Sequence, residues 1–201
     1  RDMQDIEFTV EENNLWMLQT RRGKRTGEAA IKIAIDMNQE KLITQEKIIS
    51  RISSKNLDEI MHPKVDPELE KIHKPIETGL PASPGGACGR IVFSADDAEK
   101  WHKQKKKIIL VRHETSPEDV QGMHVAEGIL TAKGGMTSHA ALVARGWGKP
   151  CVVGCTKINI DIKNKILHVN EKKYKQGDWF TLNSSAGLIY DKQIKLVKSN
   201  F

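Results

Sequence analysis

TAKGGMTSHAALVARGWGKP, residues 131 to 150, places one histidine, His139, just inside the start of a helix and shortly after a glycine pair. Ahead of it, Glu127 to Thr131 reads EGILT, a short apolar run with the pattern of a buried strand. Gly134-Gly135 breaks that strand, and Thr137 or Ser138 supplies an N-cap hydroxyl. Ala140, Ala141, Val143 and Ala144 then form a small-residue helical face, stopped by Gly146, Gly148 and Pro150.

A histidine in the first turn meets free backbone N–H groups and the positive end of the helix dipole. That position disfavours an imidazolium and suits a phosphoryl group carried on a neutral, nucleophilic imidazole. In an arbitrary protein a helix-start histidine is more often a cap or a packed side chain. Here Gly134 and Gly135 clear the approach side, so a large anionic donor can reach the backbone. No Walker-type glycine loop ending in Lys-Ser/Thr occurs, so the stretch is not an ordinary nucleotide cradle. Thr137 and Ser138 have two roles open to them, capping and contact with the phosphoryl group. Arg145 reads as structural rather than as a phosphate contact. Glu114, Glu118 and Asp119 read as helix caps first, and as orienters of His139 second.

Composition narrows the classes. The 201 residues carry 38% hydrophobic and 29% charged residues, as soluble globular chains do. Nothing approaches the roughly 18 consecutive apolar residues of a membrane helix. The start, Arg1-Asp2-Met3-Gln4, has no signal-peptide pattern and reads as the interior of a longer protein. Cys88, Cys151 and Cys155 form no C-x-x-C pair and are expected as buried, reduced thiols, which suits a cytoplasmic location. The net charge of +6 comes from dispersed lysines, and 5% aromatic residues provide no stacking platform, so nucleic-acid binding is not expected. The other histidines, at 62, 73, 102, 113, 124 and 168, lack ligand-like spacing and read as surface or packing residues.

Residues 5 to 20 predict a β-hairpin, with Ile6, Phe8 and Val10 alternating and a bend at Glu11 to Asn14. A helix follows from about Glu28 to Asn38 on Ala29, Ala30, Ile33, Ala34 and Met37. Thr44 starts a second helix carrying Ile48, Ile49 and Ile52, and Ser53 or Ser54 a third, through Met61. From His62 to Pro84 five prolines predict a semi-rigid connector. Beyond Gly85, strands near 87–93, 108–111, 127–131 and 150–153 alternate with helices near 96–104, 117–126 and at His139. Short strands follow near 166–169, 179–182 and 188–190. That order predicts an α/β sandwich.

The string GGMTSHAALVARG closely resembles the phosphohistidine motif of the phosphoenolpyruvate-utilising enzymes. Its flanks, ILVRHETSPEDVQGMHVAEGILTAKGG (109–135) and ARGWGKPCVVGC (144–155), with RDMQDIEFTVEENNLWMLQTRRGKRT (1–26), are most similar to the pyruvate, phosphate dikinase branch. The resemblance implies a fold: a swivelling β/β/α phosphohistidine domain over 85–192, preceded by the hairpin and helices (1–61) that end an ATP-grasp domain. Residues 62–84 would be a linker, and 193–201 a linker toward a C-terminal barrel. It implies that His139 is phosphorylated on Nε2, relaying phosphate between ATP with inorganic phosphate and pyruvate with phosphoenolpyruvate. By the same resemblance Glu7 and Gln19 are Mg²⁺–ATP ligands, Arg21 contacts phosphate, and Thr137 holds a position that some members phosphorylate for regulation. Cys155 matches a family cysteine near the phosphohistidine. The implied protein is a phosphotransferase and a homodimer at full length; this piece alone would lack full activity, strong ATP binding and a tightly held cofactor. Phosphoenolpyruvate synthase, the sugar-transport phosphocarrier enzyme I and a non-catalytic module of the same fold are the alternatives.

Overall fold

A computed structural model describes residues 2–23, 25 and 27–198; Arg1, Lys24 and Thr26 of the quoted N-terminal segment and 199–201 of the C-terminal one lie outside them. The chain divides into two compact units, Arg1–Ile60 and Met61–Phe201.

In the first unit, β1 (Gln4–Glu11) and β2 (Asn14–Arg22) form the expected hairpin, closed by Glu12 and Asn13 at positive φ. A bulge after Glu7 puts Leu18 out of register. Three helices follow, α1 (Gly27–Gln39), α2 (Gln45–Arg51) and α3 (Ser54–Met61). Ala30 and Ala34 are the buried stripe of α1. Thr44 caps α2, accepting from the Lys47 N–H. Ile49, expected on the apolar face of α2, is 76% exposed: Ile48 and Ile52 share a stripe four residues apart, and Ile49 is turned away from it. The Arg25 guanidinium grips the Asp2 carboxylate with two bonds of 2.9 and 2.7 Å and holds that carboxyl well below the usual range.

The second unit opens where the prolines predict a connector, but the segment is structured. It carries β3 (Lys64–Val65), α4 (Pro67–Lys71), β4 (Glu77–Thr78) and β5 (Leu80–Ser83). Strands this short leave no periodicity to read, and their partners lie far along the chain. Next come β6 (Gly86–Val92), α5 (Ala95–Lys103), β7 (Ile108–Arg112), a 3₁₀ turn at Pro117–Asp119, α6 (Val120–Val125), β8 (Gly128–Thr131), α7 (His139–Gly146) and β9 (Cys151–Val153). The chain then makes β10 (Ile158–Asp161), β11 (Ile166–Val169), β12 (Lys172–Lys175), β13 (Trp179–Asn183), β14 (Leu188–Tyr190) and β15 (Leu196–Val197).

Eight strands form one mixed sheet in the order β4-β14-β13-β6-β7-β8-β9-β5, with β6 to β9 parallel and stepping across in sequence. Parallel neighbours joined by right-handed crossovers put all connecting helices on one face. Accordingly Val92, Ile108, Leu110, Ile129, Cys151 and Val153 pack under Ala98, Met123, Ala140, Ala141 and Ala144 of α5, α6 and α7. The alternate residues Ile91, Ile109, Val111, Leu130 and Val152 face the other way. There the antiparallel sheet β10-β11-β12 covers them with Ile158, Ile160, Leu167 and Val169. The layers are therefore sheet, sheet and helices, and the α/β class is the expected one. Strands buried on both faces read as continuous apolar runs, which is why IILV at 108–111 shows no alternation. Each such fully buried aliphatic side chain contributes about 1.5–3 kcal/mol.

Finally, β15 pairs antiparallel with β3, Leu196 opposite Val65. A small core of Val65, Tyr190 and Ile194 fills behind them. Glu70 of α4 accepts from Asn183 Nδ2 and from the Tyr190 hydroxyl, each at 2.7 Å.

Candidate phosphohistidine site

In sheets of parallel strands, sites form beyond the carboxyl ends of the strands. Here β7 ends at Arg112 and runs into the loop 113–119, while β8 ends at Thr131 and runs through the glycine loop into α7. Arg112 and Thr131 are register partners, so the two loops leave the sheet side by side. His139 opens α7 and is half-buried. Ser138 is the N-cap, its hydroxyl accepting from the Ala141 N–H at 3.4 Å. Of the two hydroxyls weighed from sequence, Ser138 therefore caps and Thr137 is exposed.

The imidazole is held from the neighbouring loop. Thr115 Oγ1 lies 3.0 Å from His139 Nδ1, and Thr115 is 8% exposed. Nε2 has no partner among the described residues. A hydroxyl accepting from Nδ1–H leaves the lone pair on Nε2, the nitrogen a phosphoryl donor would meet. Sequence reasoning looked at Glu114, Glu118 and Asp119 for this role and passed over Thr115 between them. The first two side chains are exposed. Asp119 is taken up elsewhere: its Oδ2 accepts from the Ser116 N–H at 3.0 Å and hydroxyl at 3.3 Å, and its Oδ1 lies 3.1 Å from Arg112 Nε. The signal for Thr115 was its place beside the capping pair Ser116/Asp119, which fixes where that loop turns.

The two glycines differ. Gly134 has φ +101°, and a Cβ there would lie 2.9 Å from that of Ser138. Gly135 faces open space, with nothing within 4 Å of the position a Cβ would take. Arg145 Nη2 donates to the Met136 carbonyl at 2.6 Å, bracing the same loop from the far end of α7. Met136 and Leu142 are exposed at the rim, 41% and 56%.

Cys88, Cys151 and Cys155 are free and buried. Burial pushes the Cys151 and Cys155 thiols up to about 12, with the Glu77 carboxylate adding to the shift at Cys155. A fully buried, protonated thiol is no nucleophile, so Cys155 packs the core beneath the glycine loop. His113 Nε2 meets the Ile160 carbonyl at 3.1 Å, and His124 packs edge-on against Trp147.

In the first unit, Glu7 and Gln19 are register partners, as are Asp5 and Arg21. All four share one exposed face of the hairpin. Arg21 Nε donates to Asp5 Oδ2 at 2.7 Å, and its Nη2 lies 3.5 Å from Glu7 Oε1. The opposite face presents Ile6, Phe8, Val10, Leu15 and Met17, each about half exposed. Among the described residues no three His, Cys, Asp or Glu side chains cluster as a metal site, and no helix is long and apolar enough to cross a membrane.

Residues 104–187 match the family described as PEP-utilising enzyme, mobile domain. The chain is 57% identical over 196 residues to the chloroplastic pyruvate, phosphate dikinase of Flaveria pringlei, covering 96% of this chain and 20% of that protein. It is 57% identical over 187 residues to pyruvate, phosphate dikinase 2 of Oryza sativa subsp. japonica (93% and 21%), and 53% identical to the chloroplastic pyruvate, phosphate dikinase 1 of Arabidopsis thaliana (93% and 19%). The chain thus spans about a fifth of the length of these relatives. His139, at the head of α7, lies inside the matched region, so residues 104–187 carry the mobile domain of the PEP-utilising enzymes.

Proposed function

We propose that this chain is the phosphoryl-carrier part of a pyruvate, phosphate dikinase, with His139 as the carrier. The observation that carries the reading is the tethered imidazole: Thr115 takes Nδ1, and Nε2 is left open at the positive end of α7. Nε2 attacks the β-phosphorus of ATP and AMP leaves, giving a pyrophosphorylated histidine. Inorganic phosphate takes the terminal phosphoryl group as pyrophosphate. The remaining phosphoryl group passes to the enolate oxygen of pyruvate, giving phosphoenolpyruvate and freeing the imidazole. Gly134, Gly135 and Ser138 shape the approach, and Thr137 sits where a regulatory phosphate would repel the incoming polyphosphate.

In this reading residues 1–61 end an ATP-grasp domain and 85–192 are the swivelling domain. Residues 62–76 and 193–201 connect it to its neighbours, while β4 and β5 within 77–83 join its sheet. Glu7 and Gln19 would hold Mg²⁺: their side-chain oxygens are hard donors, adjacent across the hairpin, with the Arg21 guanidinium on the same face. The ion would neutralise polyphosphate charge. Three unpaired thiols suit a reducing compartment, and we place the protein in the cytoplasm, as a homodimer at full length.

The test is mass spectrometry of the full-length protein under alkaline conditions that preserve phosphohistidine. It is incubated separately with phosphoenolpyruvate–Mg²⁺ and with ATP–Mg²⁺ plus phosphate, beside a His139→Ala control. Acid-labile phosphate on His139 from both donors, with AMP and pyrophosphate formed, is the expected result. Label from phosphoenolpyruvate alone points to the sugar-transport relative, and no label from either donor overturns the carrier reading.

A further inference from the structure

Resting on the carrier reading, we propose that Arg112 is a positioning residue for His139. Paired with Asp119, it fixes the loop that carries Thr115, and through Thr115 the tautomer and aim of the imidazole.

Arg112 ends β7 on the helix-facing side of the sheet, in step with Ile108 and Leu110. Its Nη1 donates to the Phe93 carbonyl, just past β6, at 2.9 Å. Its Nε lies 3.1 Å from Oδ1 of Asp119, whose side chain is 5% exposed. The second oxygen of Asp119 accepts from the Ser116 N–H at 3.0 Å and its hydroxyl at 3.3 Å. Ser116 directly follows Thr115, whose hydroxyl meets His139 Nδ1. One continuous set of contacts therefore runs from the end of β6 through Arg112, Asp119, Ser116 and Thr115 to the imidazole.

Stability alone does not account for this arrangement. A buried ion pair is often matched or bettered by apolar residues of equal volume. The pair is also imperfect, since the buried Arg112 Nε–H has no hydrogen-bond partner and is aimed off the carboxylate. A core optimised for packing would not leave that donor unmet. What the pair supplies is geometry: a planar guanidinium anchored to a strand-end carbonyl sets Asp119, and Asp119 sets the backbone of Ser116. Such supporting contacts hold a reacting group within the few tenths of an ångström that transfer requires.

The test reads the imidazole itself, with no phosphate donor present. The 201-residue chain is labelled with ¹⁵N at histidine, and long-range ¹H–¹⁵N spectra near pH 8 report which His139 nitrogen bears the proton. The resonance is assigned by its loss in His139→Gln. We expect the wild-type proton on Nδ1. Arg112→Gln and Asp119→Asn should each shift it toward Nε2, as Thr115→Val does, and the double variant should be no worse than either single. In the full-length protein the same variants should lower kcat for His139 phosphorylation on the order of ten- to a hundred-fold, with donor KM unchanged. Folded variants that keep the wild-type tautomer and kcat overturn the proposal, whatever they do to the melting temperature. If Arg112→Gln fails to fold, Asp119→Asn carries the test, because its amide oxygen still accepts from Ser116. A tautomer shift in a protein whose His139 takes no phosphate supports the positioning role and removes only the carrier reading.

Discussion

Thr115 Oγ1 stands 3.0 Å from His139 Nδ1, joining the loop after one parallel strand to the helix after the next. That contact decides which ring nitrogen is bound and which is open. Thr115→Val keeps the shape and removes the partner. His139 phosphorylation in the full-length protein should slow about ten- to a hundred-fold, with a stability loss of about 1 kcal/mol, while Thr115→Ser keeps most of the rate. Rapid-quench labelling with urea unfolding checks both; an unchanged Thr115→Val rate removes the hydroxyl from the mechanism.

The glycine pair should separate into a backbone requirement and a clearance requirement. Gly134→Ala forces a left-handed φ and crowds Ser138, so it should destabilise by roughly 1–3 kcal/mol. Gly135→Ala meets open space and should change stability by no more than about 0.5 kcal/mol. Any loss of labelling in folded Gly135→Ala then belongs to the donor's approach. Denaturation midpoints for the two variants, measured side by side, distinguish the roles.

The buried thiols set an alkaline limit. Cys151 and Cys155 rise from 9.0 to about 12 in the folded chain, so above pH 9 the unfolded state loses thiol protons that the folded state keeps. Their contribution is present in full below pH 9 and is lost as pH rises toward 12, with a slope of at most about 1.4 kcal/mol per pH unit per thiol. Urea midpoints should fall between pH 9 and 10.5, less steeply in Cys155→Ala. Alkylation at pH 8 should follow global unfolding; rapid modification of the native chain would contradict the burial.

The hairpin should matter to one donor only. Glu7→Ala and Arg21→Ala in the full-length protein should cut His139 labelling from ATP by about tenfold or more and leave labelling from phosphoenolpyruvate unchanged. Equal loss from both donors would mean that these residues hold structure rather than polyphosphate.

The helix bearing His139 and the strands that alternate with helices around it were legible because each leaves a local signature: a cap, a glycine stop, an apolar run. Thr115 was not, because its role is set by the register of β7 against β8, and a lone threonine in a turn carries no periodic signal. The strands within 62–84 escaped for a related reason. β3 and β4 have two residues each, and they are made strands by partners at 196–197 and 188–189. Cys155 was visible as a residue, but its inertness comes from burial that only the packed core supplies. The exposed apolar face of the hairpin shows the converse. Ile6, Phe8 and Val10 alternate as a half-buried strand should, yet nothing within the first unit covers them.

The pairing of β3 with β15 gives the second unit a stem. The chain comes in and goes out through two antiparallel neighbours, Val65 beside Leu196, so everything strung between them hangs from a single ribbon. The two ends of that stretch close on each other, so whatever loosens one strand loosens the other. The knot of Glu70, Asn183 and Tyr190 behind the ribbon guards that closure against fraying.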